Sequence, residues 1–174
     1  MPQILLDYIR QYGLNALEDN FAITIKRHNK YPNLVHLKYN QIESPFSSPI
    51  VQLCRGIILD EANDWKVISF PYKKFFNHDD SNAVKIDWSK SPRVYEKLDG
   101  SLMTLYWYDN HWEVSSSGIP DASGEVKGAG ITFSELFWNV WKECNYDLPN
   151  SNCCYMFELL SPLNRVIVRQ NSSN

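Results

Sequence analysis

Two β-type runs, SLMTLYWY (101–108) and HWEVSSS (111–117), stand only two residues apart, with Asp109 and Asn110 between them. A two-residue connection joins antiparallel neighbours, because parallel strands need a crossover of a dozen residues or more. Asp and Asn also tolerate the left-handed backbone that such a turn requires. The chain is thereby committed to an antiparallel sheet. Further short β-type runs, AITIKRH, NLVHLKYN, IVQLCRGIILDE, WKVISFPYKKFFN, RVYEK, CCYMFELL and RVIV, give that hairpin neighbours. Pro71, inside one of them, marks an edge or a bend.

Helical spacing occurs twice. Ile4, Leu5, Tyr8, Ile9 and Tyr12 recur on one face of residues 2–17, with Gly13 as a stop. Thr132-Phe-Ser-Glu135 reads as a capping box opening a helix through Cys144, with Phe133, Leu136, Phe137, Val140 and Trp141 as its apolar stripe. Residues 115–130 are a loop by composition, and Ser161-Pro-Leu-Asn164 is a turn. The predicted fold class is α+β, one domain over 1–174, a largely antiparallel sheet with helices to one side. Hydrophobic residues make up 44% of the 174, enough to bury a core.

The net charge of −3 gives no general attraction to nucleic acid. Seven Lys/Arg against four acids lie between Lys66 and Lys97, which fits either a solvated face or an anion site. Cys54, Cys144, Cys153 and Cys154 form no C-x-x-C pair and read as reduced thiols. MPQILLDYIRQYG lacks the features of a signal peptide, and no apolar run approaches the ~18 residues of a membrane span. The expectation is a soluble, cytoplasmic protein with no membrane partner.

One stretch breaks the β pattern. Lys97-Leu98-Asp99-Gly100 interrupts RVYEKLDGSLMTLYWY, although glycine and acids are disfavoured inside strands. Read as a strand, 93–97 sets Tyr95 and Lys97 on one face. A lysine nucleophile requires a neutral amine, obtained by desolvation or a neighbouring cation. By average residue usage, Lys-x-Asp-Gly arises by chance in roughly one chain in 25 of this length, so the motif alone does not separate chemistry from a plain Asp-Gly turn. No phosphate loop, dinucleotide fingerprint, G-x-S-x-G elbow or H-E-x-x-H helix occurs. Nucleotide chemistry in this chain would run through Lys97.

Several motifs in order sharpen that reading. Tyr39-Asn, Cys54-Arg55-Gly56, Lys74-Phe75-Phe76-Asn77, Lys97-Leu-Asp99-Gly100-Ser101 and Phe157-Glu158-Leu-Leu-Ser-Pro-Leu-Asn164-Arg165 together resemble the covalent nucleotidyltransferases: DNA and RNA ligases and mRNA capping enzymes. The likeness is greatest to phage-type ATP-dependent RNA ligases of the RNA ligase 1 branch, over residues 39–168. It implies an antiparallel-sheet nucleotidyltransferase (adenylation) domain whose sheets enclose a nucleotide cleft. It also implies ATP and Mg²⁺ (or Mn²⁺), a lysyl-AMP at Lys97, and the sealing of RNA 5′-phosphate to 3′-hydroxyl ends. The alternative is a catalytically inactive, ligase-derived module that binds nucleotide or RNA ends; a third reading is a partner-binding domain.

The resemblance assigns Lys97 as nucleophile and Tyr39, Arg55, Lys74, Phe76, Gly100, Ser101 and Glu158 to the nucleotide, with Glu158 also serving the metal. Phe75 and Phe76 cannot both face one pocket by alternation, so at least one belongs to the core. Alternation also puts Glu158 beside Met156 and Leu160, where an unpaired carboxylate would be costly, so a partner is expected. The family's later Glu-Gly-x-Val strand and Lys-x-Lys pair have no counterpart: no Glu-Gly occurs, and no Lys, Asp or Glu follows Arg165. Ser117 stands where the family carries Lys or Arg, and Gln170 where an aromatic is common. The implied arrangement is the N-terminal portion of an RNA ligase adenylation domain, its site completed by a C-terminal part or a second chain.

Overall fold

Leu5 and Ile9, one turn apart, are buried on helix α1 (Gln3–Tyr12), which Gly13 ends with its N–H on the Ile9 carbonyl at 2.8 Å. The computed structural model describes residues 2–164, Val166, Ser172 and Ser173. A second helix, α2 (Asn15–Phe21), follows Gly13 and ends at Ala22 in the left-handed conformation. Strands β1 (Ile23–Arg27), β2 (Leu34–Tyr39), β3 (Arg55–Asp60) and β4 (Lys66–Ser69) form one antiparallel sheet in chain order. Strands β5 (Ser101–Tyr108), β6 (His111–Ser116) and β7 (Tyr155–Leu159) form a second, in the order β6-β5-β7. The β5–β6 turn is the expected one: Asp109 and Asn110 take φ of 48° and 59°, and Tyr108 pairs with His111.

Alternation sorts the side chains into layers. Val35, Leu37 and Tyr39 of β2 and Ile57 and Leu59 of β3 pack with Leu5, Ile9 and Leu17 and with Val51 and Leu53 of a third helix, α3 (Pro49–Leu53). On the opposite face, Leu34 and Ile58 meet Tyr106 of β5 together with Tyr31. The far side of the second sheet, with Met103, Leu105, Val114 and Leu159, is covered by Leu136, Phe137, Val140 and Trp141 of α4 (Phe133–Glu143). The capping box is formed: Thr132 Oγ1 accepts the Glu135 N–H at 3.1 Å, and Glu135 Oε2 accepts the Thr132 N–H at 2.7 Å. Each fully buried large apolar side chain contributes about 1.5–3 kcal/mol. Because the sheets face each other, each leaves one outer apolar face to be covered. Helices therefore lie on both outer faces, and not on one side as the sequence reading had them.

Three expected strands change. The first part of IVQLCRGIILDE is α3, since Pro49 at a helical first position starts a helix where its missing N–H costs nothing. WKVISFPYKKFFN is a strand only at Lys66–Ser69. RVYEK forms none. Residues 70–100 hold neither helix nor strand, and Val94 and Tyr95 there are 90% and 76% exposed. A strand requires a lateral partner for its backbone groups, and among the described residues no strand pairs with 93–97. The expected last strand, 165–168, lies outside the described residues except for Val166. Among the described residues no helix is long and apolar enough to cross a membrane.

At one end the two sheets are tied together. Buried Asp60 at the end of β3 accepts hydrogen bonds from Asn33 Nδ2 (2.7 Å) and the Tyr108 hydroxyl (3.1 Å), bridging β3 to β5. At the other end they part.

Candidate functional site

The parted end is a cleft of about 510 Å³. Its walls come from the facing surfaces of both sheets and the segment between β4 and β5. Lys38 and Tyr39 come from β2, Arg55 from β3, Leu102 from β5, Glu158 from β7 and Ser117 from the end of β6; Tyr72, Phe75, Glu96, Lys97, Leu98 and Gly100 complete it. Lys38 shares a face with Leu34 and His36 by alternation, which directs it between the sheets and away from the α1–α3 layer.

A bulge aims Arg55. Register between β2 and β3 shifts after Leu37, so that Leu37 pairs with Ile57 but Lys38 pairs with Arg55, and Gly56 is the extra residue. Gly56 has φ of 95°, and a Cβ there would come within 3.4 Å of His36 Nε2. The glycine thus serves the bulge that puts two cations opposite each other. Arg55 Nη1 is buried with no hydrogen-bond partner, while the guanidinium carbon sits 4.7 Å from the Phe75 ring centre. A buried guanidinium donor left unpaired is costly unless an anion meets it.

Lys38 experiences the same field. Burial, then the charges of Arg55 and Lys74, hold its pKa below the ordinary lysine value. His36 beneath is driven to about 3 by burial, with Lys38 and Lys26 adding to it, so its imidazole is neutral. The wall carries partly desolvated positive charge, which an anionic ligand would relieve.

The Lys97 motif is anchored from the other sheet. Glu158 Oε1 accepts the Gly100 N–H at 3.0 Å, giving the half-buried carboxylate the partner that its position requires. A side chain at Gly100 would collide with the Leu159 carbonyl and come within 2.8 Å of Leu160 Cδ2. The glycine is therefore needed where β7 and the motif backbone touch. Lys97 itself is exposed on the cleft wall beside Glu96.

Five of the sequence-selected residues, Tyr39, Arg55, Lys97, Gly100 and Glu158, line this one cleft, although they come from positions up to 119 residues apart (39 to 158). Lys74, Phe76 and Ser101 do not. Lys74 Nζ is caged by the rings of Tyr39, Phe46 and Phe76, at 5.6, 5.2 and 5.4 Å from their centres. It acts on the cleft through Lys38. The ring on the cleft wall is Phe75, not Phe76, because Phe76 turns back against Phe46 at 6.0 Å. Ser101 Oγ accepts from Asn164 Nδ2 at 2.9 Å and so holds the 161–164 turn. Lys38 was absent from the sequence reading; its signal was the LVHLKY alternation that sets it on one face with His36.

Among the described residues no group of three His, Cys, Asp or Glu could hold a metal unaided. Glu158 and Glu96 are the carboxylates on the cleft wall. That set fits Mg²⁺, which binds through one or two carboxylates together with substrate phosphates.

A family model described as RNA ligase matches residues 53–174. The chain is 28% identical to an RNA ligase of Rhodothermus phage RM378, over 99% of this chain and 44% of that protein. It is also 28% identical to a putative bifunctional polynucleotide kinase/RNA ligase of Autographa californica nuclear polyhedrosis virus, over 89% of this chain and 24% of that protein. The chain thus spans less than half the length of either relative.

Proposed function

The chain belongs to the RNA ligase family, and from that premise we propose that it carries the adenylylating cleft of an ATP-dependent RNA ligase. In this reading residues 1–174 are the N-terminal portion of a nucleotidyltransferase-type adenylation domain. The observation that carries it is the presence of Lys97 in the same cleft as the unpaired Arg55 Nη1 and the partly desolvated Lys38.

The Lys97 amine attacks the α-phosphorus of ATP and gives up a proton. A nitrogen–phosphorus bond forms as the bond to the pyrophosphate oxygen breaks, and pyrophosphate leaves. AMP then passes to an RNA 5′-phosphate, and a 3′-hydroxyl displaces it to join the strands. Such transfers depend on positioning and charge neutralisation. Arg55 and Lys38 meet the phosphate oxygens, their desolvation making each contact stronger than in water. Tyr39 and Phe75 flank the nucleotide. Gly100, held by Glu158, fixes the reach of Lys97. Lys74, within its ring cage, adds to the positive field at Lys38. Bound with the phosphates near Glu158 and Glu96, Mg²⁺ would supply further charge neutralisation. The missing Lys-x-Lys pair and Glu-Gly strand would come from a C-terminal part or a second chain.

The test is incubation with ATP labelled at the α-phosphate, with Mg²⁺ or Mn²⁺, then a denaturing gel and peptide mapping, with Lys97→Ala as control. Label on Lys97, absent from the control, is the expected result. Folded protein that binds ATP without taking up label would instead make the cleft a ligase-derived nucleotide-binding module.

A further inference from the structure

Tyr72 and Phe75 are walls of two clefts at once. On one side lies the Lys97 cleft; on the other lies a second hollow of about 680 Å³. That volume is within the range of about 300–1,000 Å³ usual for ligand pockets. Besides the shared rings, Phe76, Lys73, His78, Gln52 and Asn82 line it.

We propose that this second cleft takes unpaired nucleotides of the RNA strand next to the end that reacts at Lys97. The proposal rests on the ligase reading above, and deepens it by assigning a place for the strand. Three observations carry it.

The first is the chemistry of the walls. Tyr72 and Phe75 are 60% and 63% exposed, so their ring faces are open to a stacking partner. Exposed rings interleaved with cations are what single-stranded nucleic acid recognises: bases stack on the rings, and lysines meet the phosphates. Gln52 and Asn82 add amide donors and acceptors for base edges.

The second is charge. Asp79 is paired with His78 at 3.0 Å and Asp87 with Lys90 at 3.3 Å. Among the described residues Lys73, an exposed lysine on the wall of this hollow, forms no ion pair, and no Asp or Glu lines the hollow.

The third is continuity. Because Tyr72 and Phe75 belong to both clefts, a strand whose terminal phosphate lies at Lys97 passes over these rings into the second hollow. A mononucleotide confined to the Lys97 cleft would leave that hollow empty.

The experiment measures binding of a 5′-phosphorylated, 3′-fluorescein single-stranded RNA 12-mer by anisotropy, without ATP, over a range of salt. Tyr72→Ala should weaken binding about tenfold and Tyr72→Phe should retain it, as stacking requires. Lys73→Ala should lower the slope of log K against log salt by about 0.7, one phosphate contact on a single strand. Crosslinks from 4-thiouridine near the 5′ end should map to the peptide 72–86. Unchanged affinity and salt slope in both alanine variants, or crosslinks confined to other peptides, would overturn the proposal. So would a wild-type chain that does not bind the 12-mer. Adenylylation is assayed on the same preparations. Label on Lys97 with unaltered RNA binding sinks this inference alone; no label, with RNA binding lost in the variants, sinks the ligase reading alone.

Discussion

Glu158 Oε1 takes the backbone N–H of Gly100 at 3.0 Å, joining residues 58 positions apart in the chain. This hydrogen bond fixes the Lys97 motif to the second sheet, so the acid has a positioning duty apart from any contact with metal or ribose. Glu158→Gln preserves an acceptor for Gly100 but removes the charge. We expect its melting temperature to stay close to wild type while labelling of Lys97 by ATP falls at least about tenfold. Glu158→Ala also leaves the Gly100 N–H without its acceptor, costing about 1–3 kcal/mol in stability. Full labelling in the Gln variant would reduce Glu158 to the positioning duty.

Gly100→Ala tests the close approach itself. Its methyl group would press on the Leu159 carbonyl and on Leu160 Cδ2, both in or beside β7. Overpacking of this kind costs about 1–3 kcal/mol, and each kcal/mol shifts the melting temperature of a chain this size by about 2–4 °C. Thermal denaturation followed by circular dichroism should show the fall. A variant as stable as wild type would mean that β7 moves aside freely.

Lys38 opposite Arg55 is a cost in the absence of an anion. Burial and two cationic neighbours hold its pKa down, so the charged form is disfavoured in the folded state. A lysine with a lowered folded pKa gains the protein stability as pH rises through that pKa toward its unfolded value. Lys38→Met should therefore leave the nucleotide-free melting temperature undiminished near neutral pH, and abolish the rise that ATP produces in wild type. A variant stabilised by ATP as wild type is would remove Lys38 from the phosphate contacts.

Asp60 predicts an acid response at the opposite end. Burial would raise its pKa, but hydrogen bonds from Asn33, Asn63, Tyr108 and the Ala62 N–H outweigh it and hold the value below the ordinary 3.8. Its contribution is therefore complete above 3.8 and is lost as pH falls through the lower folded value. Urea denaturation should find Asp60→Asn less stable than wild type at pH 7, by about 1–3 kcal/mol for a charged acceptor. The gap should narrow at pH 3 and below. A gap independent of pH would show that shape, not charge, matters at this joint.

The local elements were legible because their causes are local. The Asp109-Asn110 turn, the Thr132–Glu135 capping box, the Gly13 stop and most strands depend on residues within a few positions of each other. The motifs around Arg55, Lys97 and Glu158 could likewise be read in order. Their convergence could not be derived from spacing, because it rests on the facing of two sheets and on a bulge at Gly56 that only strand pairing creates.

By itself, then, the sequence determined the hairpin, the capped helix, the alternation that turns Lys38 and Glu158 to one side of their strands, and the family likeness. Tertiary structure alone decided that RVYEK is no strand, that Phe75 and not Phe76 lines the Lys97 cleft, and that Lys74 is held in a ring cage. The physical reason is reach. Backbone conformation answers to near neighbours, whereas a strand requires a lateral partner, and a ring its pocket, from residues far away in the chain.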